Sequence, residues 1–234
     1  MNMHLLRTKP PTGILIVIEG GDGSGKATQT KLLVGYFQKQ NIPVKTLSFP
    51  RYKDSFYGRL VGRFLAGEFG QLEDISPYLA SLIYALDRED ARDEINEWLR
   101  QGKIVIIDRY VPSSLAHQSA KLPAEERENS IRWIEEMEYT VNRMPVPDIV
   151  VYLHVPVHYS LKLIGKKAKV REYTHGTDIA ENKSHQEKAE EVFQYLSKTK
   201  PDWMTIECVK KGTLRSIDEI HKEVVTKVNR RMIQ

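Results

Sequence analysis

The sequence predicts an α/β fold with three layers, in which helices cover both faces of a five-stranded parallel sheet. Three observations support this class. Runs of β-branched and other apolar residues alternate along the chain with segments whose apolar residues recur at helical spacing. The first of these runs is apolar throughout, as expected of a central strand buried on both faces. The main polar motifs all follow predicted strands, where ligands bind in sheets of this kind.

Five segments have the composition of strands. The first is a continuous apolar run that leads into a glycine-rich turn, and the third closes directly on Asp108. Pro156 stops the fourth. The predicted strands are Ile14–Ile18, Val44–Phe49, Ile104–Ile107, Asp148–His154 and Trp203–Val209.

The segments between the strands have helical periodicity. Ser76-Pro77 is a helix start signal, and Gly102 ends the long stretch that follows it. Residues 157–200 read as two helices separated by a polar segment, Lys166–Asn182. The other predicted helices are 28–40, 55–65, 76–100, 125–144 and 217–232.

Composition and charge narrow the class of protein. With 234 residues, 41% of them hydrophobic, we expect a single domain over 13–234 after a flexible extension, 1–12. The net charge of +4 is too small to indicate nucleic-acid binding, and no apolar run approaches the roughly 18 residues of a membrane span. Cys208 is the only cysteine, so an intrachain disulfide is excluded. We expect this cysteine to be buried and the protein to be cytoplasmic.

A glycine-rich turn follows the first predicted strand. Residues 20–26 fit the G-x-x-x-x-G-K pattern of a P-loop, in the required context of strand, turn and helix. Its glycines let successive backbone N–H groups face a phosphate, and Lys26 adds a charge for the β- and γ-phosphates. The turn therefore predicts a P-loop NTPase fold. The predicted ATP-binding residues are Gly20, Gly21, Asp22, Gly23, Ser24, Gly25, Lys26, Ala27 and Thr28.

One position departs from the P-loop pattern. The motif normally continues with Ser or Thr, whose hydroxyl holds Mg²⁺, and this chain has Ala27 there. We still expect Mg²⁺ as the cofactor that accompanies ATP. Its protein ligands would then be nearby carboxylates, namely Asp22 and Asp108, with ATP oxygens and water completing the shell.

Further segments resemble the thymidylate kinase family of nucleoside monophosphate kinases. Residues 19–26 are similar to its E-G-x-D-G-x-G-K pattern, and 49–51 to its F-P-R segment. Residues 108–118 match D-R-Y-x-x-S-x-x-A-x-Q, and 82–88 resemble a helix that carries an aromatic residue and an arginine. The resemblance implies transfer of the γ-phosphoryl group of ATP to dTMP, giving dTDP and ADP for dTTP synthesis.

The acceptor that this resemblance implies has definite chemical needs. A phosphate dianion requires cations opposite the P-loop, and Arg51 and Arg109 offer forked donors. A pyrimidine requires a flat apolar wall and polar groups at its edge, for which Tyr84, Arg88 and Ser114 are candidates together with Phe49. The predicted acceptor-binding residues are Asp22, Phe49, Pro50, Arg51, Tyr84, Arg88, Arg109, Ser113, Ser114 and Gln118.

The resemblance implies two specific contacts, and some alternatives stay open beside it. In the family, the arginine like Arg88 contacts the thymine carbonyl, and the carboxylate like Asp22 lies near the deoxyribose 3′-hydroxyl. Alternatively, Phe49 and Tyr84 are core aromatics, and Arg88 with its acidic neighbours forms a solvated ion-pair face. His117 stands where the family often has a bulky residue beside the sugar, or takes no part.

Positive charge around the migrating phosphoryl group is the main requirement of this chemistry. The P-loop contains no arginine, so we expect the charge from a short lid over about 165–182, where basic residues cluster. Ile179 replaces the arginine of the family's D-R-x-E segment, so the resemblance does not identify which lid residue supplies the cation. The alternative is that the segment is a solvated basic loop without a catalytic part. The predicted catalytic residues are Lys26, Arg109, Arg171 and Lys167.

Two other functions remain open. A deoxynucleoside kinase needs a carboxylate after the second strand, where this chain has Phe49-Pro50-Arg51; a kinase of another monophosphate is a variant of the same alternative. The other is a P-loop protein that binds nucleotides without turnover, which only Ala27 and Ile179 favour. We expect ATP and dTMP as partners, no nucleic acid or membrane, and a homodimer, which is common in the family.

Overall fold

The computed structural model describes residues 13–70, 74–166 and 183–233. Its centre is a five-stranded sheet in the order β2-β3-β1-β4-β5, and every neighbouring pair is parallel. The predicted α/β class and the five strands are therefore confirmed. The strands are β1 (Ile14–Glu19), β2 (Val44–Ser48), β3 (Ile104–Asp108), β4 (Ile149–His154) and β5 (Trp203–Glu207).

Helices connect these strands. Among the described residues they are α1 (Lys26–Lys39), α2 (Phe56–Leu65), α3 (Pro77–Asp90), α4 (Arg92–Arg100), α5 (Val111–Ser119), α6 (Ala124–Glu135), α7 (Val157–Lys166), α8 (Lys183–Thr199) and α9 (Ile217–Ile233). A short antiparallel hairpin, β6 (Val209–Lys210) with β7 (Thr213–Leu214), precedes α9.

The alternation of side chains along β1 explains the three layers. Leu15 and Val17 belong to an apolar cluster that includes residues of α4, α5, α6 and α8. Ile16 and Ile18 belong to a second cluster, which includes residues of α1 and α9. Because successive side chains of a strand point to opposite faces, one strand contributes to both cores, and helices cover both faces of the sheet.

The sheet brings the carboxyl ends of three strands together. β3 lies between β1 and β2, with Asp108 paired in register with Ile18 and with Ser48. The glycine-rich turn after β1, the Phe49-Pro50-Arg51 segment after β2 and Arg109 after β3 therefore lie along one edge. This is the edge that parallel α/β sheets use to bind ligands.

Several predicted element boundaries are wrong. The long helix over 76–100 is two helices, because the chain turns at Ala91, whose N–H donates to the carbonyls of Arg88 and Glu89. The last strand ends at Glu207, because Val209 pairs with Leu214 in the hairpin. α5 lies in a stretch for which periodicity predicted no separate helix.

The segment predicted as one helix over 125–144 changes its type halfway along. A π-helical turn, Glu136–Val141, follows α6. At its end the Asn142 N–H donates to the Met137 carbonyl at 2.9 Å, and the Met144 N–H to the Glu138 carbonyl at 2.9 Å. A π turn holds more residues than an α turn, so it changes the direction of the side chains that follow.

Four further predictions concern other parts of the chain. The N-terminal extension, 1–12, and residues 167–182 of the lid lie outside the described residues. In the described part, no helix is long and apolar enough to cross a lipid bilayer. Cys208 is fully buried as expected, and burial raises the pKa of its thiol to about 12.

Candidate active site

The glycine-rich turn has the backbone of a phosphate-binding loop. Gly20, Gly23 and Gly25 have positive φ angles of 150°, 76° and 91°. A Cβ atom at Gly20 would lie 2.6 Å from the Leu153 carbonyl oxygen, so this position requires glycine. α1 begins directly after the turn, at Lys26. The loop therefore presents backbone N–H groups beside a helix N-terminus, which suits an anion.

Lys26 is buried under this loop. Its Nζ donates to the Gly21 carbonyl at 2.7 Å. Burial, together with the positive charge of Arg109, lowers the pKa of the Lys26 ammonium to about 8, although the carboxylates of Asp22 and Asp108 oppose the shift. A polyphosphate in the loop would favour the charged form, because it adds negative charge next to the ammonium.

Arg109 joins the end of β3 to the phosphate-binding loop. Its φ angle of 63° turns the chain sharply after Asp108, and its N–H donates to the Ile18 carbonyl at 3.1 Å. Its guanidinium forms an ion pair with Asp22 Oδ1. Gln186, at the start of α8, donates to Asp22 Oδ2 at 3.2 Å. The loop, β3 and the helix that follows the predicted lid thus meet at the Asp22 carboxylate.

Glu19 supports this arrangement from beneath. Its fully buried carboxylate accepts from the Tyr110 N–H at 2.8 Å, the Ser113 N–H at 3.1 Å and the Ser113 hydroxyl at 2.7 Å. No side chain of α5 itself caps its first turn, so Glu19 satisfies those N–H groups. Burial raises the pKa of Glu19, while the Ser113 bond and the charge of Arg109 oppose the shift. This role of Glu19 was not predicted, although a carboxylate at the end of an apolar strand was a usable signal.

Arg51 is held against α3. Its N–H and Nε donate to the two oxygens of Asp87, at 2.8 and 3.1 Å, and Nη2 donates to Asp90 at 2.6 Å. The guanidinium carbon lies 5.6 Å from the centre of the Phe49 ring. A Cβ at Gly58 would lie 2.1 Å from the Arg51 carbonyl oxygen, so α2 packs directly on this turn. Asp87 was not predicted as a partner of Arg51.

The aromatic residues near this edge contribute to the cores. Phe49 is only 3% exposed, and its ring centre lies 6.2 Å from that of Tyr110. Tyr84, on α3, contacts Phe64 edge to face at 6.1 Å. The peptide bond between Phe49 and Pro50 is cis. Both aromatics therefore have a packing role, whatever they do toward a ligand.

Arg88 is buried, so the alternative that placed it on a solvated ion-pair face is wrong. It is 2% exposed and pairs with Glu138 of the π-helical turn, which is fully buried. Nη2 of Arg88 also donates to the Ser114 hydroxyl at 2.8 Å. The two residues predicted for the base edge thus lie in contact. Nothing in the sequence pointed to Glu138, which sits among other acidic residues at helical spacing.

Three residues of the predicted site have buried polar atoms that no described residue satisfies. Oγ of Ser24, Oδ1 of Asp108 and Oε1 of Gln118 are inaccessible and lack a hydrogen-bond partner within the described ranges. Burial raises the pKa of Asp108, while the charges of Lys26 and Arg109 oppose the shift. An orphaned carboxylate oxygen beside the phosphate-binding loop is suited to a ligand that supplies positive charge or a donor.

His117 faces the same region from α5. Its ring centre lies 5.6 Å from that of His185 on α8. Burial, and then the charges of Arg109 and His185, lower the pKa of His117 well below its usual range. The imidazole is therefore neutral near pH 7.

A second polar cluster lies at the carboxyl end of β4. His154 contacts Glu190 of α8 at 2.9 Å through Nε2 and Glu207 of β5 at 2.7 Å through Nδ1. The other oxygen of Glu190 accepts from the Val157 N–H at 3.0 Å, at the start of α7. The bond to Glu190 is the largest cause that raises the pKa of His154, and Glu207 adds to it. The cluster thus ties α7, α8 and β5 together.

This cluster predicts a pH-dependent stability. The folded pKa of His154 lies above the ordinary 6.5, so its contribution is complete below that value and is lost as the pH rises through the folded pKa. His154→Asn should therefore lower the free energy of unfolding more at pH 6 than at pH 9, as measured by urea unfolding. Glu190→Gln should lose the same pH-dependent part of the free energy of unfolding. Parallel pH profiles for wild type and both variants would refute the assignment.

The structure thus brings most of the predicted residues to one edge. Lys26, Asp22, Asp108 and Arg109 form the part around the phosphate-binding loop. Beside it lie Phe49 and Arg51, which follow β2, with Arg88 of α3 and Ser114 of α5. Arg171 and Lys167, the predicted lid cations, lie outside the described residues.

Comparison with known proteins agrees with this geometry. The thymidylate kinase family model matches residues 18–224. The chain is 36% identical to a thymidylate kinase of Mycobacterium tuberculosis over 158 residues, which are 68% of this chain and 72% of that protein. It is 32% identical to a probable thymidylate kinase of Thermococcus onnurineus over 227 residues, covering 94% and 100%.

A solved structure supports the fold. The thymidylate kinase of Candida albicans superimposes with a TM-score of 0.69 at 22% identity, covering 94% of this chain and 93% of that one. The family model spans the phosphate-binding loop, the Phe49-Pro50-Arg51 turn and the Asp108–Gln118 segment, which are the parts that build the edge described above. The chain therefore belongs to the thymidylate kinase family.

Proposed function

We propose that this protein transfers the γ-phosphoryl group of ATP to dTMP, forming ADP and dTDP. The observation that carries the proposal is the ion pair between Arg109 and Asp22. It joins a phosphate-binding loop suited to ATP to an arginine suited to a second phosphate. Family membership and the names of the relatives support the same activity.

The reaction needs positioning and positive charge rather than a general base. The attacking oxygen of a monophosphate is already anionic, so no proton has to be removed from it. Lys26 would carry charge to the β- and γ-phosphates, and Arg109 would donate to the acceptor phosphate. Glu19 would keep Arg109 in place by capping α5. Arg171 and Lys167 remain our candidates for the cation over the γ-phosphate.

Mg²⁺ fits the carboxylates that are present. Asp108 has an inaccessible oxygen without a hydrogen-bond partner in the described part of the chain, and Asp22 lies close enough to influence its pKa. Mg²⁺ is commonly held by one or two carboxylates together with phosphates and water. When bound, it would neutralise charge that develops between the β- and γ-phosphates. Ala27 offers no hydroxyl, so Asp108 is our first candidate ligand and Asp22 our second.

A coupled assay of ADP release tests the activity. The enzyme is given ATP and Mg²⁺ with dTMP, dUMP, dCMP, dGMP, dAMP, UMP or thymidine. We expect turnover to be fastest with dTMP and absent with thymidine. Turnover of thymidine would instead assign a nucleoside kinase, and undiminished ATP binding with no ADP from any acceptor would assign a protein that only binds nucleotides.

Arg88 supplies a more specific prediction. Its guanidinium is buried beside Ser114 on the acceptor side and makes no described contact with the phosphate-binding loop. Arg88→Met should raise KM for dTMP by about tenfold or more, because a buried charged donor is lost, while KM for ATP stays within about twofold. Steady-state kinetics in both substrates measure the difference. A defect confined to ATP would refute the division of the site into donor and acceptor sides.

An exposed apolar face on α3 supports our proposal that the protein is a homodimer. Leu79, Leu82 and Leu86 are 61%, 41% and 36% exposed, and their spacing places them on one face of the helix. Trp133 of α6 is 36% exposed and contacts Tyr78 edge to face at 4.9 Å. An apolar face of this kind suits a second copy of the chain. Leu82→Glu should convert a dimer to a monomer in light scattering, and a wild-type monomer would refute the proposal.

We also propose that the protein functions in a reducing compartment such as the cytoplasm. Cys208 is a buried free thiol whose pKa is raised, so it is unreactive as a nucleophile and unsuited to disulfide formation.

A further inference from the structure

Glu138 forms an ion pair that stability alone does not explain. Glu138 is fully buried and Arg88 is 2% exposed. A buried pair loses its hydration, and apolar residues of similar volume often stabilise a core as well or better. The pair therefore needs a reason other than folding, and its position beside the acceptor-side residue Ser114 suggests one.

The geometry of the pair is asymmetric. Arg88 Nε, at 2.9 Å, and Arg88 Nη2 both donate to the same oxygen, Oε1 of Glu138. A pair built for strength would use both oxygens in two parallel bonds. Here Oε2 of Glu138 is inaccessible and has no hydrogen-bond partner among the described residues. The carboxylate thus fixes the guanidinium by one edge rather than by a fork.

The hydrogen bonds of Arg88 also determine the direction of its third guanidinium nitrogen, Nη1. Nη2 also donates to the Ser114 hydroxyl at 2.8 Å, so Nε and Nη2 are both committed. Within the described ranges, the hydrogen bonds of Arg88 do not include Nη1. Two anchors on one side of a planar group leave it a single orientation, with Nη1 directed away from Glu138.

The backbone that carries Glu138 is unusual in the same place. Glu138 lies in the π-helical turn Glu136–Val141, and the described chain contains no other π-helical segment. Such turns occur frequently at functional sites. In this turn, the Glu138 carbonyl accepts from the Met144 N–H. The residue that provides the carboxylate therefore also stabilises the end of the turn through its backbone.

α3 and α5 connect this pair to the phosphate side. The residue before Arg88 is Asp87, whose carboxylate holds Arg51. The residue before Ser114 is Ser113, whose hydroxyl donates to Glu19 under Arg109. On α3, Arg88 thus follows directly after the residue that holds Arg51. On α5, its partner Ser114 follows directly after the residue that binds Glu19 under Arg109.

We propose that Glu138 is a positioning residue for acceptor binding, which orients the Arg88 guanidinium so that its free edge meets the base of the monophosphate. This inference rests on the proposed function, because it assumes that the acceptor lies against Arg88. Glu138 itself does not touch the acceptor. It acts through Arg88, and so its effect should depend on the presence of that arginine.

A double-mutant cycle tests this dependence. We would measure kcat and KM for dTMP and ATP, and the Kd of dTMP by calorimetry, for Glu138→Met, Glu138→Gln, Arg88→Met and the double variant Arg88→Met/Glu138→Met. Glu138→Met should raise the KM and Kd of dTMP by about tenfold, with KM of ATP within about twofold. Glu138→Gln keeps an acceptor for Arg88, so its rise should be smaller. In the Arg88→Met background, Glu138→Met should have no further effect.

The controls separate positioning from folding. The double variant replaces the pair with apolar side chains and should keep the thermal midpoint close to that of the wild type, even if Glu138→Met alone unfolds. An equal rise in KM for both substrates, or the same effect of Glu138→Met with and without Arg88, would overturn the inference. If the wild type prefers another monophosphate, the proposed function fails, and the same cycle with that acceptor still decides the role of Glu138. Absence of binding by every monophosphate would overturn both.

Discussion

Lys26→Met should reduce kcat by about 10³-fold, because it removes the buried cation that we propose faces the transferred phosphoryl group. Lys26 lies beneath the glycine-rich turn with its Nζ on the Gly21 carbonyl, 2.7 Å away. Burial and Arg109 already lower its pKa to about 8, so loss of the charge relieves a local cost and the fold should remain intact. Steady-state ADP release and thermal unfolding measure the two effects.

Lys31→Met is the matched control for this variant. Lys31 is on the same helix, α1, but is exposed to solvent. Its replacement should leave kcat within about twofold, since exposed surface substitutions have small effects. If Lys26→Met retained a rate near that of Lys31→Met, the assignment of the turn as the phosphate-binding loop would be wrong.

Arg109→Met should lower kcat/KM for dTMP by about 10²- to 10³-fold, because it removes the charged donor that we propose binds the acceptor phosphate. The backbone at this position keeps its left-handed φ of 63°, which arginine and methionine, neither of them branched at Cβ, tolerate alike. Arg109→Lys should be intermediate, since it keeps the charge but not the fork. Kinetics with dTMP as the varied substrate measure the series.

A pH profile distinguishes this role from a general loss of structure. The charge of Arg109 helps to lower the pKa of Lys26, so Arg109→Met should shift the alkaline limb of the rate profile to higher pH. Arg59→Met, at an exposed position on α2, is the control and should change neither the rate nor the limb. An unshifted limb in Arg109→Met would contradict the coupling of the two cations.

The site shows where sequence reasoning was sufficient. Lys26 and Asp22 were predicted from the P-loop motif and the family resemblance, and Arg51 and Arg109 from their positions just after strands. The sheet brings all four to one edge. Their placement follows from local order along the chain, because a residue after a parallel strand must lie at the carboxyl edge. The phosphate-binding turn was predicted as well, since its glycines meet a purely local backbone requirement.

The carboxylates that pair with Arg51 and Arg88 were not predicted. Asp87 holds Arg51 across 36 residues of sequence, and Glu138 holds Arg88 across 50. Both carboxylates stand in stretches rich in acidic residues, where a solvated face is the ordinary interpretation. Only burial distinguishes them, and burial depends on which helices pack together.

Helix types and breaks were missed for a related reason. Hydrophobic periodicity ran on through Ala91 and through Glu136–Val141, although the chain turns at the first and forms a π-helical turn at the second. A single tight or wide turn barely alters a pattern averaged over a helix. Its location is decided by the packing of neighbouring helices.

The sequence by itself determined the layer order, the phosphate-binding turn and the family, because these depend on periodicity and on motifs whose residues are adjacent. The tertiary structure alone decided which carboxylate each arginine faces, which charges are buried, and how the pKa values of Lys26, Asp108 and His117 are shifted. Those properties come from desolvation and from charges that are distant in sequence and close in space, and no local pattern records such distances.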